Sequence, residues 1–438
     1  MPSRLRQLAT GGLANLAIRG ATLLCRFALS FYVVSMLGLR AAGVFGLALG
    51  AIGILPAAVG WGLNYFLSRD VVGLAPDQAM PLIRARLTVT IGSLALVTAV
   101  ALAVVAIAPG LASTDATTLA LIIALLWFET LGLDSYMALI GLELAFQANL
   151  IVFVRSALWI PPLILVGLVA PATRTLDMIF ASWVASHILS LGLLAYCLRH
   201  WPVIQGWRQP LAVPRTLAAR LRQSWFIYFS DLGLVGLIYV DRFVVSAVLG
   251  LAATGIYSFY WSITNALQTL VSTAIVQVAL PRLFRAHRDD SPAAWRALLV
   301  REVGRTLLYA GVLSVVLFVA TEAIVALKPG RFPPARLLLV LLLLAAVVRA
   351  GSDMLNVGIT STRRDRAYAI TNVIGMVTAV LLSLILLKTV GLIGAGVSAL
   401  LTALGLFVIR AGYLWRVAVM PDAASPVAAS ETGRPSSA

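Results

Sequence analysis

One short segment, which contains two glycines, occurs twice in this chain and indicates its fold. The first copy reads LGLRAAGVF over residues 37–45, and the second reads LGLAATGIY over residues 249–257, at a constant offset of 212 positions. Glycine allows the backbone to reverse sharply between two helices. Each copy therefore predicts a helical hairpin, and the constant offset predicts an internal repeat.

The composition excludes a soluble globular enzyme. Of the 438 residues 61% are apolar and 11% are charged, against roughly 25% charged residues in soluble domains. The apolar residues form blocks of about 20, the length that crosses a hydrocarbon core of about 30 Å. We therefore predict an all-α polytopic membrane protein with twelve spans, at residues 12–37, 42–67, 83–108, 118–140, 150–170, 178–197, 224–248, 253–279, 306–326, 336–357, 368–388 and 392–415.

The repeat falls at the same place in each set of six spans. Since six is an even number, both sets insert with the same orientation, as parallel repeats around a central cavity. We predict one six-helix bundle over residues 1–200, a basic linker over 201–223, a second six-helix bundle over 224–415 and a disordered tail over 416–438. This is the architecture of a transporter.

The basic residues indicate the orientation in the membrane. The 33 Lys and Arg exceed the 17 Asp and Glu and give a net charge of +16. Most of them fall on the side of the N-terminus, so the positive-inside rule predicts that both termini are cytoplasmic. This group includes Arg86, Arg155 and Arg410, which we expect near the headgroups. The charge is thus explained by topology and by contact with anionic lipids, and no nucleic-acid partner is predicted.

The two halves also carry a family resemblance. The residues that carry it are Leu37, Gly38, Gly43, Phe45 and the stretch 60–69 in the first half, and 239–242, Leu249, Gly250, 255–257, Pro281 and Arg282 in the second. Over about residues 10–415 the chain resembles the polysaccharide-transporter family, the O-antigen and exopolysaccharide oligosaccharide flippases of the multidrug/oligosaccharidyl-lipid/polysaccharide superfamily. The lipid II flippases of that superfamily typically have fourteen spans.

The resemblance implies a function. Members carry undecaprenyl-pyrophosphate-linked oligosaccharide from the cytoplasmic to the periplasmic leaflet of the bacterial inner membrane, without ATP hydrolysis, for lipopolysaccharide or exopolysaccharide biosynthesis. The implied partners are this lipid-linked substrate, the membrane lipids and the polysaccharide polymerase or assembly proteins. The alternatives are an organic-cation antiporter of the same superfamily, a membrane polysaccharide polymerase and a permease subunit. No catalytic motif, metal-ligand spacing or cofactor motif occurs, so we predict neither an enzyme nor a cofactor.

Two arginines on the first span are the strongest candidates for substrate binding. A charge at the bilayer centre costs about 2.5–3.5 kcal/mol on insertion scales, so each one needs a partner, water or a substrate. Arg19 and Arg26 are seven residues apart and share a helix face. They are expected to hold a pyrophosphate or an acidic sugar in the cavity, or else to pair with carboxylates of neighbouring helices. The residue equivalent to Arg19 is Asp231, which we expect to pair with it across the seam between the halves.

Asp241 and Arg242 near the end of the seventh span are further cavity candidates. The resemblance makes Asp241 the most transferable position, and the alternative is a charge in the headgroup interface. Tyrosines and amides of the second half are expected to line a sugar path or to join helices: Tyr228, Tyr239, Tyr257, Tyr260, Asn265, Gln268 and Gln277.

The remaining ionisable groups are candidates for coupling or gating. Glu129, Asp134 and His187 lie within spans and are candidates for proton coupling, although a histidine in an apolar helix is more often only hydrogen-bonded. Arg349 and Asp353 are four residues apart, so they are expected to neutralise each other on one helix face.

Overall fold

The computed structural model describes Ile18, residues 20–107, 115–201, 214–289, 291–327, Gly330, Phe332, 335–362 and 364–419. These residues contain no β-strand, and almost all of them are helical. The long helices are α1 (Gly20–Leu37), α2 (Leu39–Gly60), α3 (Leu63–Asp70), α4 (Pro76–Ile107), α5 (Ala116–Gly141), α6 (Ala145–Val169), α7 (Leu176–Cys197), α8 (Pro214–Val271), α9 (Gln277–Asp289), α10 (Pro292–Leu327), α11 (Arg336–Ser361), α12 (Asp365–Val390) and α13 (Ile393–Val419). Within the described residues 11 helical segments are long and apolar enough to cross a membrane. The chain is an all-α polytopic membrane protein.

The longest segment folds back on itself. It runs over Ser224–Asp289, 66 residues, and a straight helix of that length would extend about 99 Å, some three times the hydrocarbon thickness. Gly250 interrupts it with non-helical dihedral angles, φ 81° and ψ 179°. Phe243 and Ser258, about 22 Å apart in a straight helix, contact Gly50 and Gly46, which are only about 6 Å apart along α2. The chain therefore reverses at Gly250, between a first arm of α8 (residues 214–249) and a second arm (residues 251–271).

The repeated hairpins have the same backbone geometry and pack against each other. Gly38 has φ 86° and ψ 175°, close to the angles of Gly250. The Cα of Gly43 faces the carbonyl oxygen of Leu251, and the Cα of Gly255 faces that of Leu39, so closely that neither glycine has room for a Cβ. Because each contact is the other shifted by 212 residues, the hairpins meet as a reciprocal pair. The division into two bundles of six spans stays a prediction.

Two boundaries differ from those predicted. The span predicted at 42–67 is interrupted, because Trp61 and Gly62 have positive φ values of 53° and 67° and separate α2 from α3. Gly62 lies against the backbone of the first arm of α8, where a side chain would collide. The stretch between the spans predicted at 253–279 and 306–326 is mostly helical, since α9 ends at Asp289 and α10 begins at Pro292.

The helices differ in how deeply they are buried. Within the most apolar stretch of each helix, the share of residues buried in the protein is 56% for α11 and 50% for α2, against 11% for both α4 and α10. A helix with apolar side chains all round is stable on the periphery only where lipid covers it. The helices α2 and α11 therefore line the interior, and α4 and α10 form the rim.

Candidate functional site: a charged central cavity

One large cavity lies between the helices of the interior. Its volume is about 1440 Å³, and its wall is made by α1, α2, α5, α6, α7, both arms of α8, α9, α11 and α12. The lining extends to the end of the bundle at which α1 begins, called the α1 end below. The lining residues at this end are Ile18, Gly20, Tyr136, Phe226, Leu280, Thr360 and Tyr368.

Aromatic side chains close the opposite end. The ring of Phe31 lies 5.0 Å from that of Phe259 and 5.5 Å from that of Phe332, measured between centroids, and the latter two rings are 5.6 Å apart. Next to them the backbone N–H of Ala335 donates to the hydroxyl of Tyr260 at 3.3 Å. This cluster, called the aromatic plug below, lies on the side opposite the α1 end.

Arg26 lies on the cavity wall, as the sequence predicts for a substrate-binding arginine. Its side chain is exposed and lines the cavity, and among the described residues the guanidinium forms no hydrogen bond and no ion pair. Its charge acts on the nearby carboxylate of Glu129. Arg19, the other predicted arginine, lies outside the described residues.

Glu129 is the centre of a cluster in the first half of the chain. Its Oε2 atom lies 2.8 Å from Nη1 of Arg155, and its Oε1 atom lies 3.2 Å from Nε2 of His187. Gly132 makes this possible, because a Cβ there would overlap the Arg155 guanidinium. Arg155 is therefore a buried partner of a carboxylate, and the expectation that it reaches the headgroups is wrong. His187 does not line the cavity itself, because it lies behind Glu129, stacked between Phe128 and Trp183.

Asp134 belongs to a separate buried cluster. It accepts hydrogen bonds from Nε of Arg86 at 3.2 Å and from Nη2 at 3.0 Å, and it also contacts the Thr90 hydroxyl. Arg86 donates a further bond to the carbonyl oxygen of Gly60 at 2.9 Å. These residues tie α4 to α5 and to the end of α2, away from the cavity. Arg86 is buried, so its expected position near the headgroups is also wrong.

Asp231 is a carboxylate on the cavity wall. Among the described residues its side chain has no hydrogen bond and no ion pair. Its predicted partner Arg19 is not among those residues, so the pairing across the seam stays a prediction. Its charge acts on the side chain of Tyr368 of α12.

Asp241 and Arg242 have different environments although they are neighbours in sequence. Asp241 is not part of the cavity lining, and it accepts a hydrogen bond from the Tyr257 hydroxyl at 2.9 Å. Arg242 lines the cavity, with its Cζ atom 3.7 Å from the ring centroid of Trp261 and 5.2 Å from that of Tyr239. Its Nη1 donates to the carbonyl oxygen of Gly46 at 3.1 Å. Its Nε and Nη2 atoms are buried and have no hydrogen-bond partner among the described residues.

Arg349 and Asp353 do not form the predicted pair. Asp353 accepts a hydrogen bond from Nε2 of Gln268 at 2.7 Å and lies 3.5 Å from Nη1 of Arg410. Arg349 lines the cavity and forms no ion pair among the described residues. A spacing of four residues brings two side chains to one face of a helix, but here the second arm of α8 and α13 offer Asp353 closer partners.

Comparison with known proteins identifies the family. The sequence pattern of a family described as polysaccharide biosynthesis protein matches residues 8–287. The chain belongs to this family. No curated protein sequence matches it.

Solved structures share the fold of this family member. An inward-facing multidrug resistance MATE transporter of the MOP superfamily aligns with a TM-score of 0.70 at 14% identity, covering 90% of this chain and 95% of the other. The lipid II flippase MurJ in an inward closed conformation aligns at 0.61 with 13% identity, covering 94% and 88%. An outward-facing MATE transporter aligns at 0.56 with 12% identity, covering 92% and 93%. The polysaccharide biosynthesis protein therefore has a transporter fold.

Sequence reasoning missed several polar residues of this family member. The charge pattern predicts positions near the headgroups for Arg155 and Arg410, and no sequence pattern indicates a role for the indoles of Trp159 and Trp183. Both indoles line the cavity, with ring centroids 5.7 Å apart. Within the part of the chain that the structure describes, their Nε1 atoms have no hydrogen-bond partner. The depth of these residues within long helices was the available signal, because an arginine several turns from a helix end cannot reach the surface easily.

Proposed function

We propose that this protein flips undecaprenyl-pyrophosphate-linked oligosaccharide from the cytoplasmic to the periplasmic leaflet of the bacterial inner membrane. It does so by alternating access, with both termini in the cytoplasm, and it serves the synthesis of a cell-surface polysaccharide. The family and the transporter fold support this assignment. Because proteins of this fold move different substrates, the assignment depends on the chemistry of the cavity.

The cavity with an unpaired arginine is the observation that carries the proposal. Its volume of about 1440 Å³ exceeds the roughly 300–1,000 Å³ of an ordinary small-molecule pocket, so it has room for several sugar residues. Arg26 offers a guanidinium without a carboxylate partner among the described residues. Guanidinium groups bind phosphate oxygens through paired N–H donors. In this proposal Arg26 binds the pyrophosphate, and the indoles of Trp159 and Trp183 face the sugars.

The shape of the cavity supports an inward-facing state. The lining extends to the α1 end, and the aromatic plug of Phe31, Phe259 and Phe332 closes the other end. The higher TM-score to the inward-facing transporter than to the outward-facing one agrees with this arrangement. The substrate enters from the cytoplasmic leaflet, and opening of the plug releases the sugar to the periplasm.

The coupling site in this proposal is the Glu129 cluster. Glu129 faces the cavity, and His187 lies directly behind it at 3.2 Å. A proton that moves onto this pair changes the charge that Arg26 experiences, which links the protonation of the cluster to the release of the pyrophosphate. Asp134, the other predicted carboxylate, holds Arg86 and has no part in this step.

A leaflet assay with the purified full chain in liposomes tests the proposal. The liposomes contain a polyprenyl-pyrophosphate oligosaccharide, and an external lectin reports the sugar that reaches the outer leaflet. We expect the wild-type protein to expose the sugar and Arg26→Ala to lose most of this activity, while Arg416→Ala, on an exposed arginine outside the cavity, retains it. A wild-type protein that leaves the sugar on its original side would contradict the proposal.

The second candidate is an organic-cation antiporter. Asp231 favours it, because a carboxylate on the cavity wall without a partner among the described residues suits a cationic substrate. The same liposomes, loaded with a fluorescent organic cation and a proton gradient, test this function. Export of the cation that Asp231→Asn abolishes, together with no sugar exposure, would replace the flippase assignment.

A further inference from the structure

The corner between α9 and α10 carries a dense group of arginines at the α1 end of the protein. Only two residues separate the helices, and the rings of His287 and Trp295 meet at this corner with their centroids 5.6 Å apart. Four of its arginines are exposed and form no hydrogen bond and no ion pair among the described residues: Arg282, Arg285, Arg296 and Arg301. These four residues are called the arginine surface below.

The corresponding corner of the first half, between α3 and α4, has paired charges instead. Asp70 at the end of α3 accepts a hydrogen bond from Nη2 of Arg220 at 3.0 Å, and Arg86 of α4 is held by Asp134. The positive-inside rule explains why arginines lie at this end of the protein, and it applies to both corners equally. It does not explain why four guanidinium groups without a carboxylate collect at one corner only.

The position of the arginine surface along α10 places part of it at the lipid headgroups. The span predicted at 306–326 is about 32 Å long as a helix, which matches the hydrocarbon core of about 30 Å. Arg301 precedes this span by about 8 Å, within a headgroup layer that is roughly 5–8 Å thick. Arg296 lies about 8 Å further out, a distance close to the Debye length of about 8 Å at physiological salt.

Apolar side chains lie among these arginines and are also exposed. The exposed fraction is 38% for Phe284 of α9 and 71% for Val300 of α10. Water leaves such side chains uncovered, whereas the glycerol and the first methylene groups of a lipid cover them. Basic and apolar side chains together, on helices next to a membrane span, are typical of a surface that binds anionic lipids.

The helix α9 also forms part of the cavity wall. Leu280 lines the cavity at the α1 end, two residues before Arg282. A π-helical turn, Ser272–Val276, joins α9 to the second arm of α8, and its residues line the cavity as well. Such turns often mark functional sites within helices. A lipid bound to α9 therefore acts on an element that borders the cavity opening.

We propose that the arginine surface binds anionic phospholipids of the leaflet at the α1 end, the cytoplasmic leaflet in the proposed function. The lipid phosphates take the place of the missing carboxylates, and the bound lipid holds α9 at the cavity opening. This surface is separate from the cavity and from Arg26. The proposal goes beyond the proposed function, because it holds for a flippase and for an organic-cation antiporter alike.

The binding experiment uses the full chain in neutral detergent and three probes. They are phosphatidylglycerol, phosphatidylcholine with the same acyl chains, and a soluble polyglutamate peptide. A basic residue near an anionic lipid surface strengthens binding about fivefold. We therefore expect the wild-type protein to bind phosphatidylglycerol about tenfold or more tightly than phosphatidylcholine. This preference should decrease at high salt, because exposed charges are screened.

Two triple variants separate a local site from the general charge of this end. The first removes three arginines of the surface and should lose the preference for phosphatidylglycerol: Arg282→Gln, Arg285→Gln and Arg301→Gln. The matched control removes the same charge from exposed arginines elsewhere at the α1 end and should keep the preference: Arg199→Gln, Arg364→Gln and Arg416→Gln. Because all six side chains are exposed, both variants should retain the melting temperature of the wild-type protein.

The leaflet assay tests the effect on the cavity opening. It compares liposomes of phosphatidylcholine alone with liposomes that also contain phosphatidylglycerol. We expect phosphatidylglycerol to raise sugar exposure severalfold in the wild-type protein and in the control variant, and to leave the first variant unchanged. Bound phosphatidylglycerol without any effect on the transport rate would overturn the role of the lipid at the opening.

Three binding results overturn the inference. Equal affinity of the wild-type protein for the two lipids excludes an anionic-lipid surface. An equal loss of preference in both triple variants shows general charge and no local site. Tight binding of polyglutamate without a preference between the lipids assigns the surface to an acidic protein instead. A wild-type protein that transports in neither membrane contradicts the proposed function, and the binding measurement then decides the lipid surface by itself.

Discussion

The two halves of the cavity wall hold a carboxylate in different ways. Glu129 in the first half has two partners on its oxygens, Arg155 at 2.8 Å and His187 at 3.2 Å. Neither partner is held by as many other hydrogen bonds as Arg410 of the second half. Asp353 in the second half lies beside Arg410, a cation fixed by three other hydrogen bonds. The first arrangement can exchange partners, whereas the second is part of the framework. In the proposed function, this contrast leaves Arg26 to the substrate.

Removal of Arg410 should have the largest effect on stability. Arg410→Met takes away the counter-charge of Asp353 and the donor to Ser352 and Asn372 at once. The loss of three buried hydrogen bonds, together with the cation beside the partly exposed Asp353, costs about 3–5 kcal/mol. We expect a strongly lowered melting temperature in detergent, or no folded protein at all. A melting temperature within a few degrees of wild type would show that the second half does not depend on this cation.

Removal of Arg155 should separate stability from transport. Arg155→Met leaves Glu129 with His187 and with access to the cavity, so the expected loss of stability is smaller, about 1–3 kcal/mol. Sugar exposure in the leaflet assay should nevertheless fall sharply, because Glu129 then pairs with Arg26 and occupies the pyrophosphate site. The melting temperature and the assay are measured on the same sample. A loss of stability equal to that of Arg410→Met, with transport retained, would reverse the comparison.

A methyl group between the two hairpins should shift the equilibrium between the inward-open and the outward-open state of the transporter. Gly43→Ala places a Cβ against the carbonyl oxygen of Leu251, and such overpacking costs about 1–3 kcal/mol, a shift of about 5- to 150-fold. If the hairpins separate during transport, the strain is relieved in the outward-open state. A single cysteine at Ser258, in a chain without the two native cysteines, should then react faster with an impermeant maleimide added from the outer face.

The matched control for this variant is Gly92→Ala. Gly92 also lies within a helix, and a Cβ there meets no atom within 4 Å. Its labelling rate should equal that of the wild-type sequence, with a gain in helix stability of about 1 kcal/mol at most. An unchanged labelling rate in Gly43→Ala would mean that the hairpins stay together throughout the cycle.

The smallest effect is expected from His187. His187→Gln keeps a hydrogen-bond donor near Glu129, and Arg155 remains at 2.8 Å from the carboxylate. Stability should fall by about 1 kcal/mol, because glutamine cannot stack between Phe128 and Trp183 as the imidazole does. If the proposed coupling is correct, sugar exposure no longer depends on a proton gradient, while the rate measured without a gradient stays the same. A dependence on the gradient equal to that of wild type would remove His187 from the coupling step.

The helices and the hairpin turns followed from the sequence because their causes are local. A block of about 20 apolar residues forms a helix in a membrane regardless of its neighbours, since every backbone polar group must be satisfied within it. The glycines at Gly38 and Gly250 permit the same turn in both halves. The same local reasoning identifies Arg26, because the free-energy cost of its charge within an apolar helix depends on its depth in the membrane alone.

The partners of the charged side chains depended on contacts between helices distant in sequence. The position of Arg155 near a predicted span end indicates a surface residue. It is buried instead, because it pairs with Glu129 of another helix and Gly132 leaves room for its guanidinium. Arg349 and Asp353 satisfied the spacing of a helical pair, but Arg410 lies closer to Asp353. Sequence patterns describe which residues share a helix face, and they carry no information on which helix that face meets. The apolar pattern and the glycines therefore set the helices and their turns, whereas the packing of α5 on α6 and of α11 on α13 decided which arginines remain for a substrate.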